Sequence, residues 1–287
     1  MSRAVNQDEI AADHLARLFQ DRPHLAARAT DIELIQSISQ RATYRLTWDG
    51  RAAIAKQIWH DNRANAVTGQ SAALKEMGDH LNRDDAKARV PEVLHVAPKA
   101  GFFVIARVPG ENARQILRRE GEAALPRVAR AAQLWMTAAS GLHKEVKPFP
   151  HTRIAKQLDA LSQGIAADVA ERTRALLFQA PDALTWSAGH GDLWPPNLML
   201  DGDSVTAIDL AGPRNYPVVE DLARFARELT EYSESGLTDR ITDPLLAGLL
   251  PDDARAFPIY YGVALAQNIE ASGGLKHGHE RARFLGL

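Results

Sequence analysis

Three oxygen-bearing side chains in the second half of the chain could together bind a divalent cation and position a hydroxyl group. Residues 190–197 are His-Gly-Asp-Leu-Trp-Pro-Pro-Asn, so Asp192 comes five residues before Asn197, and Asp209 follows a short apolar segment. A carboxylate can accept the proton of a reacting hydroxyl group, and amide and carboxylate oxygens are ligands that Mg²⁺ accepts. The pattern therefore predicts Asp192 as a catalytic base and Asn197 and Asp209 as metal ligands.

A short β-hairpin is predicted to bring the two metal ligands together. Residues 198–200 and 205–208 are largely apolar and flank an Asp-Gly-Asp turn. Asn197 and Asp209 are equidistant from residue 203 along the chain. In a regular hairpin they would lie opposite each other at the open end, with Cα atoms about 5 Å apart.

Simpler explanations exist for each residue taken alone. Asp192 could cap a turn and Asp209 could end a strand, although their joint spacing with Asn197 favours a metal site. A hydrolase-type metal site at His190-x-Asp192 would need further histidine and carboxylate ligands. The other close histidine pair, His277-x-His279, lies in a glycine-flanked tail.

The elements that must position these residues change in character along the chain. Strand-like segments come first: residues 32–58, with an Asp-Gly hairpin turn, then 93–96 and 102–105, with a helix at about 69–81 between them. After Pro109-Gly110 the pattern is mainly helical, over residues 122–143, 152–179, 220–232 and 255–271. This order predicts an α+β protein of two lobes with a cleft between them. Residues 1–106 would form an antiparallel-sheet lobe, with an N-terminal helix capped by Asp8, and residues 107–287 a helical lobe carrying the catalytic segment.

Composition limits the classes of function. The chain of 287 residues is 45% apolar and 24% charged, carries a formal charge of −2 and contains no cysteine. This charge does not favour general binding to nucleic acid or to anionic membranes, and thiolate chemistry is excluded. The first residues lack the apolar segment of a secretion signal, and no apolar run is long enough to span a bilayer. We expect a soluble, cytoplasmic protein without nucleic-acid or membrane partners.

The catalytic segment resembles that of a known enzyme family. Its His-x-Asp-x-x-x-x-Asn pattern is similar to the protein-kinase catalytic loop, and His-Gly-Asp-x-x-x-x-Asn resembles the signature of the aminoglycoside phosphotransferase and choline kinase-like enzymes. Three further segments are similar to family motifs: Leu142-His143, Val205–Asp209 and Asp221-Leu-Ala. The resemblance implies a two-lobed protein-kinase-like fold. It also implies transfer of the γ-phosphoryl group of ATP, with Mg²⁺, to a hydroxyl group of a small molecule.

The same resemblance suggests residues for nucleotide binding. Lys56 resembles the strand lysine that holds the α- and β-phosphates, and Ile54 shares its strand face, where it would pack against the adenine. Glu76, on the following helix, would be the ion-pair partner of the lysine. A solvated lysine and an exposed helix glutamate are the alternatives.

Two backbone segments would complete the nucleotide site. The segment that should cover the phosphates, residues 37–44, contains no glycine, so serine hydroxyls such as that of Ser39 would substitute. Residues 103–110 resemble the hinge, where backbone groups of Ala106 and Val108 would bind the adenine edge. Pro196 departs from the small, flexible residue that the family more often has before the asparagine.

The acceptor is less defined by the sequence. Relatives phosphorylate aminoglycosides, choline, sugars and amino alcohols, and His-Gly-Asp-Leu-Trp is also similar to fructosamine kinases. Glu228, Glu231 and Glu234 could form a carboxylate face for a cationic acceptor, or a solvated helix face. We expect His190 to pack within the loop and Asp221 to cap a helix behind it. A nucleotide-binding pseudokinase scaffold is the rival function; the glycine-free phosphate segment favours it and the retained catalytic residues oppose it.

Overall fold

The computed structural model describes residues 6–211, 215–274 and 278–286, so His277 lies outside the described residues. They form two compact units. The N-terminal unit contains residues 6–79, 90–108 and 210–211, and the C-terminal unit contains the others.

The elements are numbered in chain order within the described residues. The helices are α1 Gln7–Asp21, α2 Pro23–Ala26, α3 Arg63–Leu81, α4 Ala113–Glu120, α5 Leu125–Ala139, α6 His151–Leu161, α7 Ala167–Leu176, α8 Val218–Thr230, α9 Asp239–Leu246, α10 Pro251–Ser272 and α11 Gly278–Leu285. The strands are β1 Ala29–Ile38, β2 Arg41–Trp48, β3 Arg51–Ile58, β4 Ala88–Arg89, β5 Val93–Ala97, β6 Phe102–Ala106, β7 Glu111–Asn112, β8 Glu145–Pro148, β9 Ala183–Ala188, β10 Leu198–Asp201, β11 Ser204–Ala207 and β12 Asn215–Pro217.

A five-stranded antiparallel sheet forms the centre of the N-terminal unit, in the order β1-β2-β3-β6-β5. One face packs on α1, and the Tyr44 hydroxyl donates to the carbonyl oxygen of Ala11 at 2.8 Å. Because side chains alternate along a strand, Ala53 and Ala55 of β3 enter this core, whereas Ile54 and Lys56 face the other way. The predicted strands of this sheet are confirmed.

Helix boundaries in this unit differ from the prediction. Asn6, not Asp8, is the N-cap of α1, since its side-chain oxygen accepts the N–H of Asp8 at 3.1 Å. Asp8 lies in the first turn instead, where a carboxylate favours the helix dipole. Helix α3 begins at Arg63 rather than at about residue 69.

The C-terminal unit is mainly helical, and two small sheets frame its catalytic segment. One sheet has the order β4-β11-β10-β7, with the β10–β11 hairpin at its centre. The other has the order β12-β9-β8, and β9 leads into residue 190. Helices α8 and α10 pack together and bury apolar side chains, among them Leu222, Phe225, Leu229, Tyr261 and Leu265.

Gly110 brings the chain against the catalytic hairpin. Its φ of +93° is in a region that favours glycine, and an added Cβ would lie 2.2 Å from the carbonyl oxygen of Leu200. The following β7 then pairs with β10 through Asn112 and Met199. Glycine is therefore needed here for a close approach between two backbones. Within the described residues, no helix combines the length and the hydropathy needed to cross a membrane.

Candidate active site

The catalytic segment runs from the end of β9 to the start of β10. Residues 195–197 form a short 3-10 turn, in which the N–H of Asn197 donates to the carbonyl oxygen of Trp194 at 2.9 Å. Pro195 and Pro196 occupy the first positions of this turn, where their fixed φ suits the conformation and a missing N–H costs little. Pro196 thus fits the loop that presents Asn197.

Asn197 contacts Asp192 directly. Its amide nitrogen donates to the backbone oxygen of Asp192 at 3.0 Å and approaches the carboxylate Oδ2 at 3.4 Å. Asn197 is only 5% exposed, whereas Asp192 is exposed. Because the amide nitrogen is used inside the loop, the amide oxygen is the atom that can bind a cation.

The hairpin places Asp209 one residue away from the predicted register. Leu198 pairs with Ala207, and the N–H of Ile208 donates to the carbonyl oxygen of Asn197 at 2.9 Å. Asn197 therefore lies opposite Ile208, and the prediction that it lies opposite Asp209 is wrong. The reason is the turn, which contains two residues, Gly202 and Asp203, rather than three.

Asp209 nevertheless belongs to the same end of the hairpin. It follows Ile208 immediately and has a φ of +63°, so the chain turns out of the β-ladder at this residue. Asp209 is half-buried. The structure thus brings Asp192, Asn197 and Asp209 to one end of one hairpin within the C-terminal unit.

His190 fixes the loop from inside. It is fully buried; its Nδ1 accepts the N–H of Asp192 at 3.3 Å and its Nε2 lies 2.9 Å from the carbonyl oxygen of Ile208. These partners require a neutral ring with the proton on Nε2. Trp135 packs edge-on against the ring at 5.5 Å. With both nitrogens used internally, His190 has the packing role that we expected.

Asp221 holds the backbone of the same loop. It lies in the first turn of α8, and its Oδ2 accepts the N–H groups of His190 at 2.8 Å and Gly191 at 3.0 Å. Burial raises the pKa of this carboxyl group to about 6, and the two N–H donors oppose that rise. We expected Asp221 to cap a helix, but its hydrogen bonds go to the catalytic loop.

Sequence reasoning missed this loop-holding role. The available signal was the acidic pair Glu220-Asp221 beside an apolar helix face, which does not show where the carboxylates point. Gly189 gives a structural reason for the close approach, because an added Cβ there would lie 2.7 Å from Oδ2 of Asp221.

The predicted nucleotide residues lie in the N-terminal unit. Ile54 and Lys56 share one face of β3 and are half-buried, while Ala53 and Ala55 point into the core on the opposite face. Glu76 is exposed on α3. The shared face follows the alternation expected from the sequence, and the ion pair between Lys56 and Glu76 stays a prediction.

The two backbone segments have defined conformations. Ser39 is exposed in the two-residue turn between β1 and β2 and has a φ of +52°. Ala106 ends β6, and its N–H donates to the carbonyl oxygen of Glu92 at 2.8 Å. Because the N–H of Ala106 is already used in this bond, the carbonyl is the backbone group of Ala106 that could bind an adenine. Val108 follows β6 and is half-buried.

The donor set fits magnesium better than a soft metal. An amide oxygen and carboxylates are hard ligands, and Mg²⁺ is commonly held by one or two protein groups together with phosphate oxygens. Within residues 6–211, 215–274 and 278–286, no group of three or more His, Cys, Asp or Glu side chains could hold a metal ion by itself. The internal use of both His190 nitrogens also opposes a hydrolase-type metal site.

A cavity of about 400 Å³ adjoins Asp192 within the C-terminal unit. The catalytic loop, α8 and α10 line it through Asp192, Leu193, Trp194, Arg224, Arg227, Glu228, Ala264, Gln267, Asn268 and Ala271. Its position beside the predicted base makes it the candidate site for an acceptor.

The three glutamates that could have bound a cation do not form one face. Glu228 lines the cavity and forms an ion pair with Arg227. Glu231 follows the end of α8 and lies 2.7 Å from Arg227, and Glu234 lies beyond the helix. Neither Glu231 nor Glu234 lines this cavity.

Comparison with known proteins agrees with this geometry. Residues 31–258 match the model of the phosphotransferase enzyme family. No curated protein matches the chain. Among solved structures, the aminoglycoside phosphotransferase APH(4)-Ia is similar over 96% of this chain and 97% of its own, with a TM-score of 0.63 and 13% identity.

Two further solved structures share the fold. A choline/ethanolamine kinase family protein from Mesorhizobium loti is 18% identical over 96% of this chain and 91% of its own, with a TM-score of 0.59. The amicoumacin kinase hAmiN is 14% identical over 98% and 95%, with a TM-score of 0.56. The family match covers most of the sequence, and the sheet and helical units are those of the protein-kinase-like fold. The chain therefore belongs to the phosphotransferase enzyme family and is a kinase.

Proposed function

We propose that the protein transfers the γ-phosphoryl group of ATP, with Mg²⁺, to a hydroxyl group of a small molecule. The contact of Asn197 with Asp192 carries this proposal, because it holds a candidate metal ligand 3.0 Å from the backbone oxygen and 3.4 Å from the carboxylate of a candidate base. The cavity beside Asp192 supplies room for the acceptor.

The metal ligands would be Asn197, through its amide oxygen, and Asp209. The buried 3-10 turn holds Asn197, and the turn out of the ladder fixes the backbone of Asp209. When bound, the magnesium ion would neutralise charge on the phosphate oxygens.

Asp192 would orient the acceptor and take its proton. The acceptor oxygen forms a bond to the γ-phosphorus, the bond from that phosphorus to the bridging oxygen breaks, and ADP leaves with the electron pair. The hydroxyl proton passes to the Asp192 carboxylate and then to solvent. His190 and Asp221 hold the loop backbone, so positioning supplies much of the rate increase.

The N-terminal lobe, residues 1–106, would bind the nucleotide, and residues 107–287 would provide the chemistry. Lys56, paired with Glu76, would hold the α- and β-phosphates and Ile54 would contact the adenine. Ser39 would cover the phosphates. The Ala106 carbonyl and the Val108 backbone would bind the adenine edge.

Complexes of the structural neighbours support a nucleotide and a small acceptor. A variant of APH(4)-Ia was solved with ADP and hygromycin B, with a TM-score of 0.60 and 12% identity to this chain. The hAmiN structure contains AMP-PNP, Ca²⁺ and Ami.

Magnesium-dependent ADP release tests the proposal. The purified protein is incubated with ATP and hydroxylated amines, sugars and acids, and the phosphate monoester is detected by mass spectrometry. We expect ADP and phosphorylated acceptor in equal amounts, and neither when magnesium is chelated. Nucleotide binding without any transfer across the panel would favour the scaffold function instead.

A further inference from the structure

The walls of the acceptor cavity carry little unpaired negative charge. Asp192 and Glu228 are its lining carboxylates, and Arg227 already pairs with Glu228. If Asp192 serves the acceptor hydroxyl, the remaining charged groups of the lining are Arg224, Arg227 and Glu228, with a formal sum of +1. Arg227 also pairs with Glu231, which does not line the cavity, so an acceptor would meet two guanidinium groups and, besides Asp192, one carboxylate that is already paired with Arg227.

Arg224 is the cation available to an acceptor. Its Nη2 donates to Oε1 of Glu220 at 2.8 Å, and its side chain is 40% exposed. Within the described residues, Glu220 is its hydrogen-bonding partner, so the other donors of its planar fork have no protein acceptor, and Arg224 lines the cavity.

Glu220 is shared between Arg224 and a second guanidinium group, so it does not fully neutralise Arg224. Its side chain is 8% exposed, and its other oxygen accepts from Arg153 at 2.7 Å. One carboxylate thus serves two guanidinium groups, which leaves this trio with a formal charge of +1. Arg153 and Glu220 do not line the cavity, so Arg224 is the member of this trio that an acceptor would meet there.

The rest of the lining suits a small polar molecule. Gln267 and Asn268 on α10 contribute neutral amide side chains to the lining. Trp194 presents an aromatic surface, and the guanidinium of Arg114 packs over its ring at 4.9 Å. A volume of about 400 Å³ lies near the lower end of common ligand sites, about 300–1,000 Å³.

We propose that the acceptor is a small hydroxy acid, whose carboxylate pairs with Arg224 while its hydroxyl group lies at Asp192. The inference rests on the proposed function and narrows it to one substrate class. Phosphoryl transfer would form a phosphate monoester on that hydroxyl oxygen and leave the carboxylate unchanged.

Matched pairs of acceptors test this inference. Gluconate is compared with glucitol, and 4-hydroxybutanoate with 4-aminobutan-1-ol, in steady-state assays. Calorimetric titrations in the presence of ADP and magnesium measure acceptor binding separately from turnover. We expect each acid to exceed its neutral or cationic partner at least about tenfold in kcat/KM and in affinity. Glycerol 3-phosphate beside glycerate distinguishes a phosphate from a carboxylate as the preferred anion.

Three variants assign the effect to one side chain. Arg224→Gln should lower affinity for the acids at least about tenfold and reduce the acid preference, and Arg224→Lys should give an intermediate loss because it keeps charge but loses the fork. Arg255→Gln, an exposed change on α10 outside the cavity lining, should leave the acid affinity and the acid preference unchanged.

Preference for amines or for the phosphate compound, or an Arg224→Gln variant with full acid affinity, would overturn the inference. Binding and turnover also separate the two proposals. Arg224-dependent acid binding without transfer would uphold the acceptor class and contradict the phosphotransfer function, whereas transfer to amines alone would do the reverse.

Discussion

Side chains inside the catalytic loop are used mainly to hold one another. His190 and Asp221 use their hydrogen bonds on the loop backbone, and Asn197 uses its amide nitrogen on Asp192. Asp192 stays exposed, and the amide oxygen of Asn197 is the atom of that side chain that can bind a cation. A rigid interior thus presents a small number of oxygen atoms for chemistry.

Asp221 should make stability depend on pH. Its folded-state pKa of about 6 is above the ordinary value of 3.8, so the folded protein binds this proton more tightly than the unfolded chain does. The stabilising contribution is complete below about pH 4 and is lost as pH rises through about 6. The loss amounts to about 3 kcal/mol for this fully buried group.

The Asp221→Asn variant tests this effect because asparagine keeps an acceptor but does not ionise. Free energies of unfolding are measured by denaturant titration at about pH 4.5 and about pH 8 for both proteins. The difference between variant and wild type should shift in favour of the variant at the higher pH. A difference that stays constant between the two pH values would mean that Asp221 titrates as in the unfolded chain.

The location of the predicted site residues followed from the sequence more readily than their contacts did. The spacing predicted that Asp192, Asn197 and Asp209 lie near one hairpin, as the structure shows, and their roles stay predictions. The hydrogen-bond partners of Asp221 could not be predicted, since residues 190–191 lie about thirty positions earlier in the chain. Contacts of this kind depend on how helices pack, which local patterns do not encode.

At the scale of the element, the β10–β11 hairpin depends on strands distant in sequence. The sequence pattern located its two strands and its turn but made the turn one residue too long, and one residue fewer in the turn shifts the pairing by one position. The two-residue strands β4 and β7, which flank it, are too short to give a periodic signal. They exist because the backbone on either side of the hairpin needs hydrogen-bonding partners.

Gly110 is predicted to be essential for this arrangement. Gly110→Ala would combine an unfavourable positive φ with a clash against Leu200, and should lower the free energy of unfolding by about 2–5 kcal/mol. Gly202 is the matched control, because it also has a positive φ of +56° in the same sheet but has open space around its Cβ position. Gly202→Ala should cost only about 1–2 kcal/mol.

Denaturant unfolding of the two variants compares these costs directly. The amount by which Gly110→Ala lowers the free energy of unfolding more than Gly202→Ala does measures the effect of the clash with the Leu200 backbone. Equal losses for the two variants would show that the chain does not approach the hairpin as closely as the 2.2 Å position of the added Cβ implies.

At the scale of the whole molecule, the proposed work is divided between two compact units. The N-terminal unit contains the sheet with Lys56, and the C-terminal unit contains Asp192 and the acceptor cavity. The general order of strands followed by helices was predictable from hydrophobic periodicity. The three strands β8, β9 and β12 could not be predicted, because they are short and β9 lies beside strong helical segments.

This division predicts that chemistry can be removed without removing nucleotide binding. Asp192 belongs to the C-terminal unit, whereas the residues assigned to the nucleotide belong to the N-terminal unit. A substitution that keeps its shape but removes its charge should therefore affect transfer alone. Asp203→Asn, an exposed change in the hairpin turn, is the matched control.

The most direct measurement is the turnover of Asp192→Asn beside its ATP dissociation constant, with magnesium present. We expect kcat to fall about 100- to 10,000-fold, because the hydroxyl group of the substrate loses the carboxylate that orients it and takes its proton. The ATP dissociation constant should stay within about twofold of the wild-type value, and Asp203→Asn should match the wild type in both. An Asp192→Asn variant with undiminished turnover would contradict the assignment of Asp192 as the catalytic base.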